Sequence, residues 1–163
     1  MEFFMKLPRN KKEFAIFMAI VSIISVNILA PLITCFEIGF SMEVWKNVLH
    51  VIPFIWICVV ILVLITHKPA EWLKSKIIKK EDSFNAHIIV ETLCTVFMMS
   101  IILTVVGTWI GMGKITMEPI IMFFYKWPRN FALAFGVELL IAQPIARFVI
   151  LQLHKVQDKK KQK

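Results

Sequence analysis

Four apolar runs, each long enough to cross a lipid bilayer, constrain this chain more than any other feature. They cover residues 14–36, about 45–66, 88–110 and about 128–151. At about 1.5 Å per helical residue, each run can cross the ~30 Å hydrocarbon core. The hydrophobic fraction is 58%, well above the roughly 45–50% of soluble domains. The sequence therefore predicts an all-α membrane protein with four transmembrane helices.

The connections between the runs divide the chain into two helical hairpins. The predicted organisation is a basic arm at 1–12, a first two-helix membrane repeat at 13–78, a linker at 79–87, a second two-helix membrane repeat at 88–153 and a basic tail at 154–163. We expect Pro53 to separate an interfacial helical turn from the second span. Lysines interleaved with apolar side chains in 67–87 predict an amphipathic helix on the membrane surface. We expect the tail to be disordered at its end.

An ungapped shift of 75 residues brings turn and proline landmarks of the two halves into register. It aligns Ser41-Met42-Glu43 with Thr116-Met117-Glu118, Pro53 with Pro128, and Pro69 with Pro144. The alignment predicts an internal repeat of two tandem hairpins with the same orientation. A pseudo-twofold axis along the membrane normal would relate them.

The basic residues are concentrated on one side of the predicted spans. The arm, the segment 67–87, the tail and Arg147 hold 15 of the 19 lysines and arginines. The positive-inside rule then places both termini and the central connection in the cytoplasm. We expect a multi-pass protein of the bacterial cell membrane whose basic segments contact anionic inner-leaflet lipids. We expect no nucleic acid partner.

Glu138, near the middle of the fourth run, is the strongest candidate for a functional residue. A carboxylate at membrane depth costs about 2.5–3.5 kcal/mol on insertion scales, so it usually faces protein or water. It is either a neutral carboxyl that links helices or a proton or cation site. Asn27, in the first run, is expected either to make an interhelical hydrogen bond or to share this site with Glu138.

Other polar side chains in the apolar runs are secondary candidates. Gln143 and Arg147 follow Glu138 on the same run, but Arg147 is nine residues away and half a turn out of phase, so direct pairing is not expected. Glu91 is expected to reach the inner interface or to pair with Lys80 or Arg147.

Gly107 and Gly111 form a small-xxx-small pattern that permits close helix approach in lipid. The contact predicted from this pattern is either intramolecular or part of a dimer.

No nucleophile–base set, phosphate-binding loop or histidine–acid metal spacing is visible in the sequence. We therefore expect no enzyme activity, no cofactor and no metal site.

Several motifs resemble a bacterial two-helix membrane repeat catalogued as domain of unknown function number twenty-seven ninety-eight. The resemblance rests on Lys126-Trp-Pro-Arg-Asn-Phe-Ala-Leu-Ala, Pro144-Ile-Ala-Arg147 and, in the first half, Leu7-Pro8-Arg9. The first half departs from the pattern, because Ile52 replaces the tryptophan before Pro53 and Trp72 stands where the closing arginine would be. The resemblance implies a bacterial integral membrane protein and no established activity.

Two functions follow as expectations. The first is a small transport or permeation protein with Glu138 as its midplane site. Because four helices enclose little cavity alone, a homo-oligomer is expected with it. The second is a membrane scaffold or accessory subunit that binds a partner protein through the Gly107 and Gly111 face or the basic connection.

Overall fold

The computed structural model describes residues 8–79 and 81–161, and within these ranges all regular secondary structure is helical. The helices are α1 (Lys11–Ile38), α2 (Met42–Ile77), α3 (Phe84–Met112), α4 (Glu118–Ile121), α5 (Phe123–Val137) and α6 (Gln143–Lys161), with a π-helical turn at Glu138–Ala142 between the last two. Most of the basic arm, Lys80 and the end of the tail lie outside the described residues.

Polar side chains begin the three long helices that precede the last one. The side chains of Asn10, Ser41 and Ser83 accept backbone N–H groups at the first turns of α1, α2 and α3. Each bond satisfies a donor that has no partner inside the helix. At the ends of α1 and α3 lie Gly39 and Gly113, at positive φ angles that favour glycine.

α2 is one continuous helix of 36 residues that passes through Pro53 and Pro69. The predicted interfacial turn before Pro53 and the separate surface helix in 67–87 are therefore wrong, since residues 67–77 form the last turns of α2. Proline is tolerated inside a membrane helix when neighbouring groups satisfy the freed backbone carbonyl. At about 1.5 Å per residue, α2 exceeds the ~30 Å hydrocarbon core.

α5, the π-turn and α6 form one long helix, called the fourth long helix below. It continues to Lys161, so residues 154–161 of the predicted tail are helical. The end of the membrane span near Leu151 stays a prediction.

The four long helices form a ring in which each contacts two neighbours. α1 packs against α2 and the fourth long helix, and α3 packs against the same two. In the described residues, α1 and α3 have no backbone contact, nor do α2 and the fourth long helix. These two pairs therefore face each other across the centre of the bundle.

All four long helices have the length and composition of membrane spans. The chain is an all-α, multi-pass membrane protein, which confirms the predicted class. The common orientation of two tandem hairpins stays a prediction.

Candidate functional site

A central cavity of about 720 Å³ lies between the four long helices, and all four contribute to its lining. This volume is typical of small-molecule sites, which span about 300–1,000 Å³. The expectation that four helices enclose little space without an oligomer is wrong. A single chain holds a cavity of ligand size.

One stripe of the fourth long helix lines this cavity along much of its length. Its members are Lys126, Asn130, Ala134, Glu138, Gln143 and Arg147. Successive members are four residues apart except for the step of five between Glu138 and Gln143. The π-turn accounts for that step, because the Gln143 N–H donates to the Glu138 carbonyl five residues earlier. π-Turns of this kind are rare and occur frequently at functional sites.

The π-turn brings Arg147 to the face of the helix from which regular α-helical spacing would exclude it. Both Arg147 and Glu138 line the cavity, so the predicted half-turn offset between them is wrong. The Arg147 Nη2 donates to Gln143 Oε1 at 3.0 Å. Arg147 therefore contacts Gln143, the member of the stripe one turn before it. Gln143 lies between Arg147 and Glu138 along the stripe.

The Glu138 carboxylate is held by a serine from α1. Ser25 Oγ donates to Glu138 Oε1 at 2.9 Å, and Ser25 is only 5% exposed. Asn27, the expected neighbour, instead lies on an exposed face and donates to the Ile23 carbonyl of its own helix at 2.8 Å. The predicted proximity of Asn27 to Glu138 is therefore corrected to Ser25.

Glu91 lies at the end of the bundle that carries both chain termini, here called the terminal end. Its Oε2 accepts from Lys74 Nζ at 2.7 Å, an ion pair between α2 and α3. Arg147, one of the two expected partners, makes no ion pair with it among the described residues, and the other, Lys80, lies outside them. Glu91 thus lines the cavity with its charge compensated.

Gly107 and Gly111 line the cavity and do not bring two helices into close contact. A Cβ added at either glycine would meet no atom within 4 Å outside its own helix backbone. The predicted close approach at these residues is absent from this chain. Their lack of side chains instead keeps the cavity wide.

At the opposite end of the bundle, called the distal end, ion pairs join α1, α4 and α5. Glu37 Oε1 lies 3.5 Å from both Lys126 Nζ and Arg129 Nη2, and Lys126 Nζ lies 3.3 Å from Glu118 Oε1. Glu37, Lys126 and Glu118 also line the cavity. These ion pairs link neighbouring helices on one side of its distal end. The sequence offered a signal for them, because acidic and basic residues recur in the two distal connections.

At the terminal end the fourth long helix is closer to α1 than to α3. In the described part of the chain, α3 has no backbone contact with α6, whereas α6 packs on α1. A buried pair fixes that packing, with His154 Nε2 at 2.9 Å from Glu13 Oε2. α3 and α6 are therefore more widely separated than α3 and α5, along the part of the helix that carries Gln143 and Arg147. The sequence analysis missed this pair because His154 was assigned to the tail.

The described residues contain no group of three His, Cys, Asp or Glu side chains suited to a metal ion. Glu138 accepts a hydrogen bond from the Ser25 hydroxyl, and the lining residues on either side of Ala134 and Glu138 in the stripe, Asn130 and Gln143, carry amides. This arrangement can hold a proton or a single positive charge.

Comparison with known proteins agrees with the resemblance drawn from the motifs. The sequence model of a family described as Domain of unknown function (DUF2798) matches residues 84–154. No curated protein and no solved structure matches the chain. The matched residues include Glu138, the π-turn and Arg147.

Proposed function

We propose that this protein is a small membrane transport or permeation protein in which Glu138 is the proton or cation site. One observation carries the proposal: Glu138 lies on a cavity between four membrane-spanning helices, and no basic side chain of the described residues forms an ion pair with it. An unpaired charge in an apolar core is costly, so a carboxyl without a basic partner is expected to lie where a proton or a cation can reach it.

The difference between the two ends of the cavity supports this proposal. Ion pairs link α1 and α5 at the distal end, while α3 and α6 are more widely separated at the terminal end. A site reached from one side at a time is what alternating access requires. Access from the terminal end is the arrangement that we propose for this conformation.

We further propose that the two hairpins are repeats with a common orientation. Cavity-lining residues of α2 and of the fourth long helix are related by the same shift of 75 residues. The pairs are Val51 and Lys126, Ile55 and Asn130, Val59 and Ala134, and Val63 and Glu138. The same shift relates Ser25 to Ser100, and both line the cavity. In this arrangement the second hairpin carries the polar chemistry and the first supplies an apolar counterpart.

For localisation, we propose the bacterial cell membrane with both termini in the cytoplasm. The support is the distribution of basic residues, which favours the terminal end. The wider separation between α3 and α6 would then face the cytoplasm. Lysines at that end would contact anionic lipid headgroups, at about 1 kcal/mol each.

The test is proton flux into liposomes that contain the purified chain, followed with an entrapped pH-sensitive dye. Glu138→Gln should abolish flux while the protein elutes from a sizing column as the wild type does. Glu91→Gln is the matched control, because it removes a lining carboxylate that is already paired with Lys74. Unchanged flux in Glu138→Gln, or equal losses in both variants, would contradict the proposal.

The scaffold alternative loses one of its two expected surfaces. Gly107 and Gly111 line the cavity, so they do not offer an outer face to a partner protein. The basic connection remains for that function. Impaired assembly of Glu138→Gln, without any flux in the wild type, would favour the scaffold.

A further inference from the structure

The middle of the wall that faces the polar stripe across the cavity is apolar. Between its two polar lining residues, Asn47 and His67, α2 contributes Val48, Val51, Ile55, Val59 and Val63 to the lining. α2 and the fourth long helix do not contact each other, so this wall stands opposite Glu138. The rings of Phe14 and His67 lie 6.3 Å apart. α1 and α2 run antiparallel, so the same number of residues counted from this contact leads to Ser25 in α1 and to the segment of Ile55 and Val59 in α2. These two α2 residues therefore lie at about the depth of Ser25, which donates a hydrogen bond to Glu138.

Glu138 differs from the other acidic side chains on the cavity. Glu37 and Glu118 pair with Lys126, and Glu91 pairs with Lys74. Among the described residues, no such partner is present for Glu138, whose hydrogen bond comes from the neutral Ser25. A cation in the cavity would therefore find one uncompensated carboxylate at mid-depth.

The geometry excludes several ligand classes. A metal ion prefers several anionic or carbonyl oxygen ligands, and no cluster of three acidic, His or Cys side chains exists among the described residues. At the depth of Glu138 an anion would be repelled, whereas Arg147, which lines the same cavity without an ion pair among the described residues, lies two turns further along the fourth long helix. A neutral apolar molecule would fit the α2 wall but would leave the carboxylate without a partner, which is unfavourable away from water.

We propose that the cavity binds an amphipathic organic cation. Its positive centre lies against Glu138 and its apolar body lies against Ile55 and Val59 of α2. This assignment of a substrate class rests on the proposed function of Glu138 as a cation site. A volume of about 720 Å³ accommodates a molecule of several rings or a branched aliphatic body.

Binding of tetraphenylphosphonium to the purified full chain in detergent tests the proposal by equilibrium dialysis. The wild type should bind it, Glu138→Gln should bind about tenfold more weakly or worse, and Glu138→Asp should retain binding because it keeps the charge. Glu91→Gln should remain within about twofold of the wild type. Ile55→Asn should weaken binding while leaving the elution profile unchanged. Tetramethylammonium, which lacks an apolar body, should not displace the probe.

Three results would overturn this inference: no binding to the wild type, equal binding to Glu138→Gln, or displacement by tetramethylammonium at similar concentration. The flux assay separates its failure from that of the proposed function. Proton flux that depends on Glu138, without binding of tetraphenylphosphonium, would leave Glu138 as a proton site and reject the organic cation. Absence of both would reject both.

Discussion

Which residue of α1 hydrogen-bonds to the Glu138 carboxylate is decided by its position around that helix. Ser25 and Asn27 are two residues apart, which is about 200° around an α-helix. They therefore lie on opposite faces, and only Ser25 reaches the fourth long helix. Residue type pointed to Asn27 because an amide is the stronger polar group. The rotation of α1 against its neighbours selected the serine, and the sequence of one helix does not specify that rotation.

Replacing Ser25 with alanine should lower the Glu138-dependent flux by about two- to tenfold. A hydrogen bond of this kind contributes about 0.5–1.5 kcal/mol, and its loss would leave the carboxylate less well positioned. Asn27→Ala is the control on the same helix, and it should leave the flux unchanged. A larger effect from Asn27→Ala than from Ser25→Ala, in the same liposome assay, would be inconsistent with the hydrogen bond seen here.

At the scale of the element, the π-turn determines which residues of the fourth long helix share a face. It adds one residue between Glu138 and Gln143 and ends two residues before Pro144. Proline has no N–H to donate, and its ring crowds the carbonyl four residues earlier. The wider turn accommodates the ring. Regular α-helical spacing therefore predicted the wrong phase for Arg147, because no local sequence pattern indicates the extra residue of the π-turn.

Two single-residue deletions should behave differently. Deleting Leu140, which is 74% exposed, should convert the π-turn to an α-turn and keep the phase of α6. Deleting Phe148, beyond the π-turn, should rotate His154 by about 100° away from Glu13. The Glu13 carboxylate would lose His154 but keep the hydrogen bonds from the Arg9 N–H and Asn10 Nδ2, at a cost of about 1–3 kcal/mol.

Thermal unfolding of the two deletion variants in detergent measures this difference. The Phe148 deletion should melt well below the wild type, and the Leu140 deletion should melt close to it. If the two deletion variants lose stability equally, the π-turn is not a one-residue insertion whose removal leaves α5 and α6 in their present rotation.

At the scale of the molecule, the faces through which the four long helices pack on one another determine the ring and its cavity. Hydrophobic length and charge were enough to predict four helices and their membrane location, since both are properties of composition along the chain. The cavity was not predictable in the same way. It depends on small side chains, such as Gly107, lying where helices face each other across a gap and not where they touch.

The glycines offer a test of the cavity with a matched control. Gly107→Leu should fold, because a Cβ there meets nothing within 4 Å, but its side chain would fill cavity volume and reduce flux. Gly136→Leu has the same freedom at Cβ and is not among the cavity-lining residues, so flux should persist. Equal flux in the two variants would argue against passage through this cavity.

The most direct measurement is the reactivity of Glu138 toward carbodiimides in reconstituted nanodiscs, with the modified residues located by mass spectrometry. A water-soluble carbodiimide with an amine nucleophile should modify Glu138 together with the exposed Glu91, while Glu13, buried against His154, should remain unmodified. Such a result would mean that water reaches Glu138 through the cavity. Modification of Glu138 by a lipid-soluble carbodiimide alone, with Glu91 still reacting with the soluble reagent, would contradict a water-accessible site.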